Sequence, residues 1–259
     1  MGIVGELKQI SSLTLEILRQ NPPIVELFRS AKYQPESPFW KQATYWNGES
    51  AEKTKERSQE RFERFCRVHS YKQESLKNQF LAEWEIPALE LDKSWSELTF
   101  FLAGYIPGYV SSEWTLPELK TSKTPIHKNW WKKLFSRQKP NEEKDFLSFL
   151  VIKTSQWDGL PLVNAIGTGA EIGYATGYGP MRYLLPNEVE QVMNGLIKLS
   201  KNGFQERFYR ESEKEEPCPW IDWSDKEELM EWMTDLYNET VSYYQDAAMH
   251  QRAMLLYLT

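Results

Sequence analysis

The chain has 259 residues, of which 41% are hydrophobic and 26% charged, and its formal net charge is −6. This length is enough to bury a substantial core in one large domain or two small ones. The acidic balance argues against nucleic acid as a partner of the whole molecule, and two widely separated cysteines, Cys66 and Cys218, argue against a zinc motif or a disulfide framework. We find no signal-peptide pattern and no apolar stretch long enough to cross a membrane, so we expect a cytoplasmic protein.

The N-terminal third is predicted to contain one strand followed by helices. Residues 3–10 form a short strand, and residues 12–20 and 23–30 form two helices separated by a proline pair. Residues 49–80 are strongly charged, and their few apolar side chains follow a helical spacing. Two interpretations stay open for this segment: a helical arm that projects toward a partner, or a solvated helix that lies on the core.

A well-marked helix is predicted over residues 91–104. Ser94 and Glu97 form a capping box at its start, although Asp92 offers an alternative cap one turn earlier. Its apolar side chains recur at helical spacing on one face, and a glycine at its end is a natural stop. This helix is therefore expected to pack against the core.

Residues 105–159 look like an irregular inserted region that carries a basic aromatic run. No acidic residue lies between Glu118 and Glu142, whereas lysines and tryptophans alternate there. Three interpretations are open: an interface for an acidic protein or a nucleic acid, a membrane-surface element, or a surface loop whose tryptophans pack into the core. The side chains that we expect to face a partner are Lys128, Trp130, Trp131, Lys132, Lys133 and Arg137.

The C-terminal part predicts strands followed by two helices and a last strand. Residues 160–185 are apolar and glycine-rich, and residues 187–200 form an amphipathic helix. Ser224 and Glu227 form a second capping box ahead of a helix at 225–250. The terminal MLLYLT predicts a strand inside or at the edge of a sheet. Together these elements predict an α+β fold: a small mixed β-sheet packed with amphipathic helices, with charged helical and basic aromatic inserts.

Three sequence blocks form an ordered pattern along the chain. They are the N-terminal Met-Gly with Gly5 close behind, the helix at 91–104 with its LDKSW start, and the segment GYGPMRYL at 177–184. This pattern resembles the YfbM-like family of bacterial domains of unknown function. The resemblance implies one cytoplasmic α+β domain and no assigned reaction.

The chain also departs from that family. Residues 31–85 and 108–155 fall outside the resemblance and are interpreted as insertions in a single domain that spans 1–259. The family tends to place two histidines after the tryptophan of the LDKSW block, where this chain has Ser96 and Thr99. Histidine chemistry shared with the family is therefore not expected here.

The turn after residue 176 is the candidate binding site. Tyr178, Arg182 and Tyr183 offer hydroxyl groups and a planar guanidinium that suits a carboxylate or phosphate, and the resemblance adds Asp92 and Trp95 from the helix block. In a structural interpretation, Arg182 pairs with Asp92 or a backbone carbonyl and pins the turn to the helix. In a functional interpretation, Arg182 holds a small anionic ligand or a protein loop.

Motifs for catalysis are missing from the sequence. The three histidines lie in different segments, no GxSxG motif occurs, and the glycine-rich stretch that starts at residue 167 has the wrong spacing for a dinucleotide site. We therefore predict no metal and no cofactor.

The function predicted first is a non-catalytic protein-interaction or binding module with an unidentified protein partner. The runner-up is an enzyme that acts on a small anionic substrate through Asp92, Tyr178 and Arg182. A third hypothesis is a toxin-neutralising protein of the immunity type. The sequence leaves open whether the protein is a monomer or a homodimer.

Overall fold

A five-stranded antiparallel sheet organises the fold in the computed structural model, which describes residues 4–41, 45–46, 49–103, 161–166, 169–176, 179–218 and 221–258. The strands lie in the order β4-β1-β7-β6-β5, and every pairing among them is antiparallel. A separate two-stranded ribbon pairs β2 with β3. The strands are β1 (Gly5–Ile10), β2 (Tyr45–Trp46), β3 (Glu49–Ser50), β4 (Leu89–Glu90), β5 (Ala170–Thr176), β6 (Gly179–Leu184) and β7 (Ala253–Leu258).

Helices cover both faces of the sheet and enclose two hydrophobic cores. Within the described residues, the first four helices pack on one face, and the last three pack on the other together with a short 3-10 turn at Leu162–Ala165. The helices are α1 (Ser12–Gln20), α2 (Ile24–Ala31), α3 (Ala51–His69), α4 (Gln73–Trp84), α5 (Trp95–Ala103), α6 (Pro186–Ser212) and α7 (Lys226–Met249).

The two central strands contribute side chains to both cores. Every residue of β1 is buried, because successive side chains of a strand point to opposite faces and here both faces are covered. Leu7 and Leu256 face the core beneath α5, α6 and α7, whereas Ile10 and Leu255 face the core beneath α1 to α4. Burial on both faces suits the apolar β7, whereas β1 is buried with three polar residues, Glu6, Lys8 and Gln9, which therefore need partners inside the fold.

The predicted α+β class is confirmed, and the terminal strand is central. β7 lies between β1 and β6, as expected for an apolar terminal segment. The sheet was predicted to be mixed, but its described pairings are antiparallel. The reason is that two successive helices, α6 and α7, connect β6 to β7. A pair of antiparallel helices returns the chain to the end of the sheet where β6 stops, so β7 runs back along it.

The charged segment at 49–80 lies on the core. It forms α3 and α4, whose Phe62 and Phe80 are buried against α2, while Val68 at the end of α3 is exposed. Of the two interpretations, the solvated helix on the core is confirmed for this segment. Its narrow apolar stripe is sufficient because the remaining surface of both helices faces solvent.

Helix ends differ in detail from the predicted caps. Before α5 the chain forms a 3-10 turn at Asp92–Ser94, and the Ser94 hydroxyl accepts a hydrogen bond from Trp232 Nε1 at 2.9 Å. Asp225, not Ser224, caps α7 by accepting the Glu228 N–H at 3.0 Å. An aspartate directly before the helix satisfies an orphan N–H group of the first turn, one residue later than the predicted serine cap would have done.

The helix predicted to end near residue 200 breaks there and then continues. Ser200 has φ of +59° inside α6, and its hydroxyl accepts the Gly203 N–H at 3.2 Å, so it caps the second half of the helix. At the start of α6, Glu188 accepts the Leu185 N–H, and Pro186 occupies the first turn. None of the helices described above combines the length and apolarity that crossing a bilayer requires.

Candidate functional site

Arg182 and Tyr183 are neighbours on β6, but their side chains point to opposite faces of the sheet. Arg182 donates from Nη1 to the Gly169 carbonyl oxygen at 3.2 Å and pairs through Nη2 with Glu171 at 3.0 Å. Tyr183 is buried in the other core, where the Arg19 guanidinium lies 5.3 Å from its ring centroid. Arg182 thus contacts a backbone carbonyl, but this carbonyl belongs to Gly169, just before β5, and not to the helix at 91–104 to which the turn was predicted to be pinned. Its ion pair with Glu171 joins β5 to β6 inside one hairpin.

Asp92 lies far from Arg182 across the sheet. The register places Arg182, Leu256, Leu7 and Leu89 in one row across β6, β7, β1 and β4. With a strand spacing of about 4.8 Å, the two ends of this row are about 14 Å apart. Asp92 is exposed and follows Leu89 by three residues. The sheet order therefore does not bring these two predicted partners together.

The remaining predicted site residues have other places. Trp95, at the start of α5, packs over Gly5 of β1, where even a methyl group would lie only 2.6 Å from the Trp95 Cβ atom. Tyr178 and all six predicted residues of the basic aromatic run lie outside the described residues. The predictions for Tyr178 and for that run remain predictions from sequence.

A cavity of about 170 Å³ opens on the other side of the sheet. It lies where β1 and β7 meet helices α2, α3 and α4. We call it the β1 pocket and define it by the side chains that the following paragraphs use: Glu6, Arg29, Lys32, Arg61, Trp84 and Tyr257.

The floor of the β1 pocket is a buried cluster of charged and phenolic groups. Glu6 and Tyr257 are paired in register on β1 and β7, and the Tyr257 hydroxyl donates to Glu6 Oε2 at 2.8 Å. Lys32 Nζ lies 3.4 Å from the same carboxylate oxygen and 3.1 Å from Glu90 Oε1. Burial, reinforced by the nearby Glu6 carboxylate, raises the pKa of Tyr257 well above its ordinary value, so its phenol stays protonated.

Aromatic rings form the walls, and cations lie over them. The Lys32 ammonium lies 5.8 Å from the Trp84 ring centroid, and the Arg29 guanidinium lies 5.2 Å from that of Tyr257. Trp84 is itself fixed, because its Nε1 donates to the Phe28 carbonyl oxygen at 3.0 Å. These cation–π contacts hold both cations toward the cavity.

The mouth of the β1 pocket lies between α2 and α3. Arg29 of α2 forms an ion pair of 3.1 Å with Glu26, one turn earlier on the same helix, and both side chains are partly accessible to solvent. Arg61 of α3 is exposed and has no ion-pair partner among the residues that the structure describes. The mouth therefore carries two arginines from adjacent helices.

A second buried lysine lies below the pocket on β1. Lys8 is completely buried and donates to three carbonyl oxygens, those of Gln9 at 2.7 Å, Glu83 at 2.7 Å and Ile86 at 2.9 Å. Its ammonium also lies 5.2 Å from the Trp84 ring centroid. Burial lowers the pKa of Lys8 to about 7, although the Glu83 carboxylate opposes the shift. Lys8 satisfies the carbonyl groups at the C-terminal end of α4.

The Glu83 carboxylate connects three elements near Lys8. It accepts the Ser11 N–H at 3.1 Å and the Thr14 hydroxyl at 2.6 Å, and it also accepts the Ser11 hydroxyl. Arg252, just before β7, pairs with it at 3.3 Å. A carboxylate from α4 thus anchors the start of α1 and the start of β7.

The described residues offer little for nucleophilic or metal chemistry. No three histidine, cysteine or acidic side chains among them are grouped so as to hold a metal ion. Cys66 and Cys218 are both buried as free thiols, and burial raises the pKa of the Cys66 thiol, which disfavours the reactive thiolate.

Sequence reasoning missed the residues of the β1 pocket. One signal was present: the predicted first strand reads GELKQI, and Glu6 and Lys8 lie two positions apart, so they share one face of the strand. Two charged side chains on one face of a buried strand need buried partners. The identity of those partners depends on register and helix packing, which the sequence pattern does not specify.

The architecture defines an α+β protein whose antiparallel sheet is covered by helices on both faces. Residues 132–257 match the model of a family described as a domain of unknown function, DUF1877. This match covers just under half of the chain, and it supports the resemblance, inferred from the sequence, to YfbM-like domains of unknown function. In the described structure the matched part holds β5, β6, β7, α6 and α7, whereas most of the β1 pocket lies before it.

The chain also aligns with solved structures. The crystal structure of YfbM from Escherichia coli, a protein of unknown function, aligns with 11% sequence identity and a TM-score of 0.42 over 99% of each chain. No curated protein matches the sequence at a significant level.

Proposed function

We propose that the protein is a cytoplasmic, non-catalytic binding module and that the β1 pocket is its binding site for a small molecule. The observation that carries this proposal is a preformed cavity in which charged groups are already oriented by partners. Glu6 is held by Tyr257 and Lys32, and Arg29 is held over the Tyr257 ring. Groups fixed in this way bind a ligand at a low entropic cost, because they need little reordering.

The same arrangement argues against proton transfer in the pocket. A general acid or base works best when its pKa is near the operating pH. Burial holds the pKa of Tyr257 well above its ordinary value, so the phenol is a poor proton donor near neutral pH. The Lys8 amine has a pKa of about 7, but it is fully enclosed and bonded to three carbonyl oxygens, so no substrate reaches it.

A protein partner remains part of the proposal through the basic aromatic run. Its lysines and tryptophans, centred on Lys132 and Lys133, differ from the rest of this acidic chain. Charge complementarity would favour an acidic partner, and contacts of this kind weaken with salt. Reversal of both charges, tested by affinity capture at low and moderate salt, is expected to reduce capture of such a partner without unfolding the domain.

The enzyme hypothesis based on Asp92, Tyr178 and Arg182 has less support. Asp92 and Arg182 lie near opposite ends of a row that crosses four strands, and Arg182 is engaged by Glu171. Two groups that act on one substrate must both lie within hydrogen-bonding reach of it.

The experiment that tests this proposal incubates the purified protein with the low-molecular-weight fraction of its own cell extract. Native mass spectrometry then identifies any retained molecule, and chromatography with mass detection shows whether that molecule is altered. The proposal predicts a retained molecule that is released unchanged. A molecule converted to product at substoichiometric protein would contradict the non-catalytic assignment, and no retained molecule would contradict binding.

A further inference from the structure

We infer that the β1 pocket takes a small organic molecule with a single anionic headgroup, a carboxylate or a phosphate, held at the mouth by Arg29 and Arg61. This inference rests on the proposed function and adds the chemical class of the ligand. It depends on the balance of charges around the cavity and on the position of the basic side chains that have weak ion pairs or none.

The charges that line the pocket leave a cation in excess at its mouth. Glu6 and Glu26 are its acidic side chains, and Arg29, Lys32 and Arg61 are its basic ones. Lys32 is engaged by Glu6 and by Glu90 outside the cavity. Arg61 has no ion-pair partner within the described parts of the chain, and it lies on a protein of net charge −6. An anion at the mouth would compensate this local excess of positive charge.

Arg29 is available to share an anion with Arg61. Its ion pair with Glu26 is a solvent-accessible pair within one helix, and such pairs contribute little to stability. The aromatic contact with Tyr257 keeps the guanidinium at the cavity when that pair opens. Two planar guanidinium groups from adjacent helices suit the oxygens of a carboxylate or phosphate.

The floor restricts the ligand to a single anionic group. Glu6 is buried and accepts hydrogen bonds from Tyr257 and Lys32, so a second negative charge inserted toward it would meet like charge in a poorly solvated place. The ligand body therefore lies against Trp84, Ser30 and Tyr33, which are uncharged side chains of the cavity lining. Its headgroup remains toward solvent, between α2 and α3.

Matched probes test the charge of the ligand. Benzoate, benzamide and benzamidine have nearly the same shape but are anionic, neutral and cationic, and phenyl phosphate replaces the carboxylate with a phosphate. Calorimetric titration of the full chain is expected to give the tightest binding with benzoate or phenyl phosphate. Loss of the charge-assisted contacts should weaken benzamide by about tenfold. The preferred anion of the two identifies the headgroup.

Two variants with the same charge change locate the contact. Arg61→Gln is expected to weaken benzoate or phenyl phosphate by about tenfold, because it removes one charged hydrogen-bond donor at the mouth. Arg64→Gln, on the same helix but not lining the cavity, is expected to leave the affinity unchanged. Both residues are exposed, so equal thermal midpoints for the two variants and the parent verify that folding is intact.

The outcomes separate this inference from the proposed function. Benzamide that binds as tightly as benzoate, or equal losses in Arg61→Gln and Arg64→Gln, overturns the anionic headgroup while leaving a small-molecule pocket in place. If none of the four probes binds, the inference of an anionic headgroup is also overturned. The proposed function fails separately, if the cell-extract experiment retains no molecule.

Discussion

Tyr257 and Glu6, 251 positions apart in sequence, are paired in register and joined by a hydrogen bond of 2.8 Å at the floor of the β1 pocket. The contact joins the last strand to the first in the centre of the sheet. Both groups are buried, so this bond stabilises the fold and also shapes the floor of the cavity. A change at either residue is therefore expected to alter stability and binding together.

Removal of the Tyr257 hydroxyl is expected to destabilise the protein by about 1–2 kcal/mol, because the buried Glu6 carboxylate loses a hydrogen-bond donor. Urea unfolding of Tyr257→Phe against the parent measures this loss. Tyr209→Phe is the matched control, since Tyr209 is half exposed and should change stability little. Equal stability of both variants and the parent would show that the contact contributes nothing.

Glu83 is expected to be among the most sensitive positions of the chain. Glu83→Ala removes the acceptor of the Ser11 and Thr14 groups and leaves Arg252 without its carboxylate. A loss of about 3 kcal/mol is expected, because breaking a largely buried charged network leaves its members unsatisfied. Glu85→Ala, an exposed position directly after α4, should stay near the parent in the same denaturant titration. A small effect at Glu83 would mean that solvent replaces the network.

Lys8 is expected to make stability rise with pH above neutrality. Its pKa is about 7 in the folded protein and 10.5 as the ordinary value, so between these pH values the unfolded chain binds more protons. The free energy of unfolding then increases with pH, by at most about 1.4 kcal/mol for each pH unit. Urea titrations between about pH 7 and pH 9 measure this increase, because this range lies below the pH at which tyrosine ordinarily ionises.

The Lys8→Met variant isolates this effect, because its pH dependence lacks the Lys8 contribution. The unfolding free energy of the parent minus that of the variant should increase with pH over that range. If Lys8→Met does not fold, a direct NMR titration of the Lys8 ammonium gives the same answer. Parallel pH profiles, or an ammonium that stays protonated beyond about pH 9, would contradict a lowered pKa.

Gly5 is expected to tolerate no side chain. A Cβ atom there would lie 2.6 Å from the Trp95 Cβ atom, so Gly5→Ala forces α5 away from β1 and should cost about 1–3 kcal/mol. Gly203→Ala is the control: its nearest neighbour would be at 3.4 Å, and a helical alanine should be neutral or stabilising by about 1 kcal/mol. Thermal unfolding distinguishes them, and equal effects would show that the close approach relaxes freely.

The elements of this fold were predictable where local pattern decides them. The first strand, the two helices after it and the strand at residue 253 follow from periodicity and prolines. The antiparallel sheet and the position of β7 in its centre depend on how α6 and α7 pack. Alternation and helical periods do not encode that packing.

The candidate site was less predictable than the fold. Sequence reasoning placed Arg182 beside Tyr183 and near Asp92, but strand alternation separates the first pair and the sheet order separates the second. The β1 pocket depends on Glu6 meeting Tyr257 and Lys32, contacts that link distant parts of the chain. Only the charged alternation of the first strand indicated that such partners must exist.

The most direct test of the β1 pocket as the functional site follows the indole signals of the tryptophans by NMR. Trp84 lines the pocket, whereas Trp232 is half exposed on α7, on the other side of the sheet; Trp84→Phe and Trp232→Phe assign the two resonances. On addition of the low-molecular-weight fraction of the cell extract, the Trp84 resonance should shift and that of Trp232 should not. A Trp84 signal that stays in place, while other signals move or none do, would contradict the assignment of this pocket as the binding site.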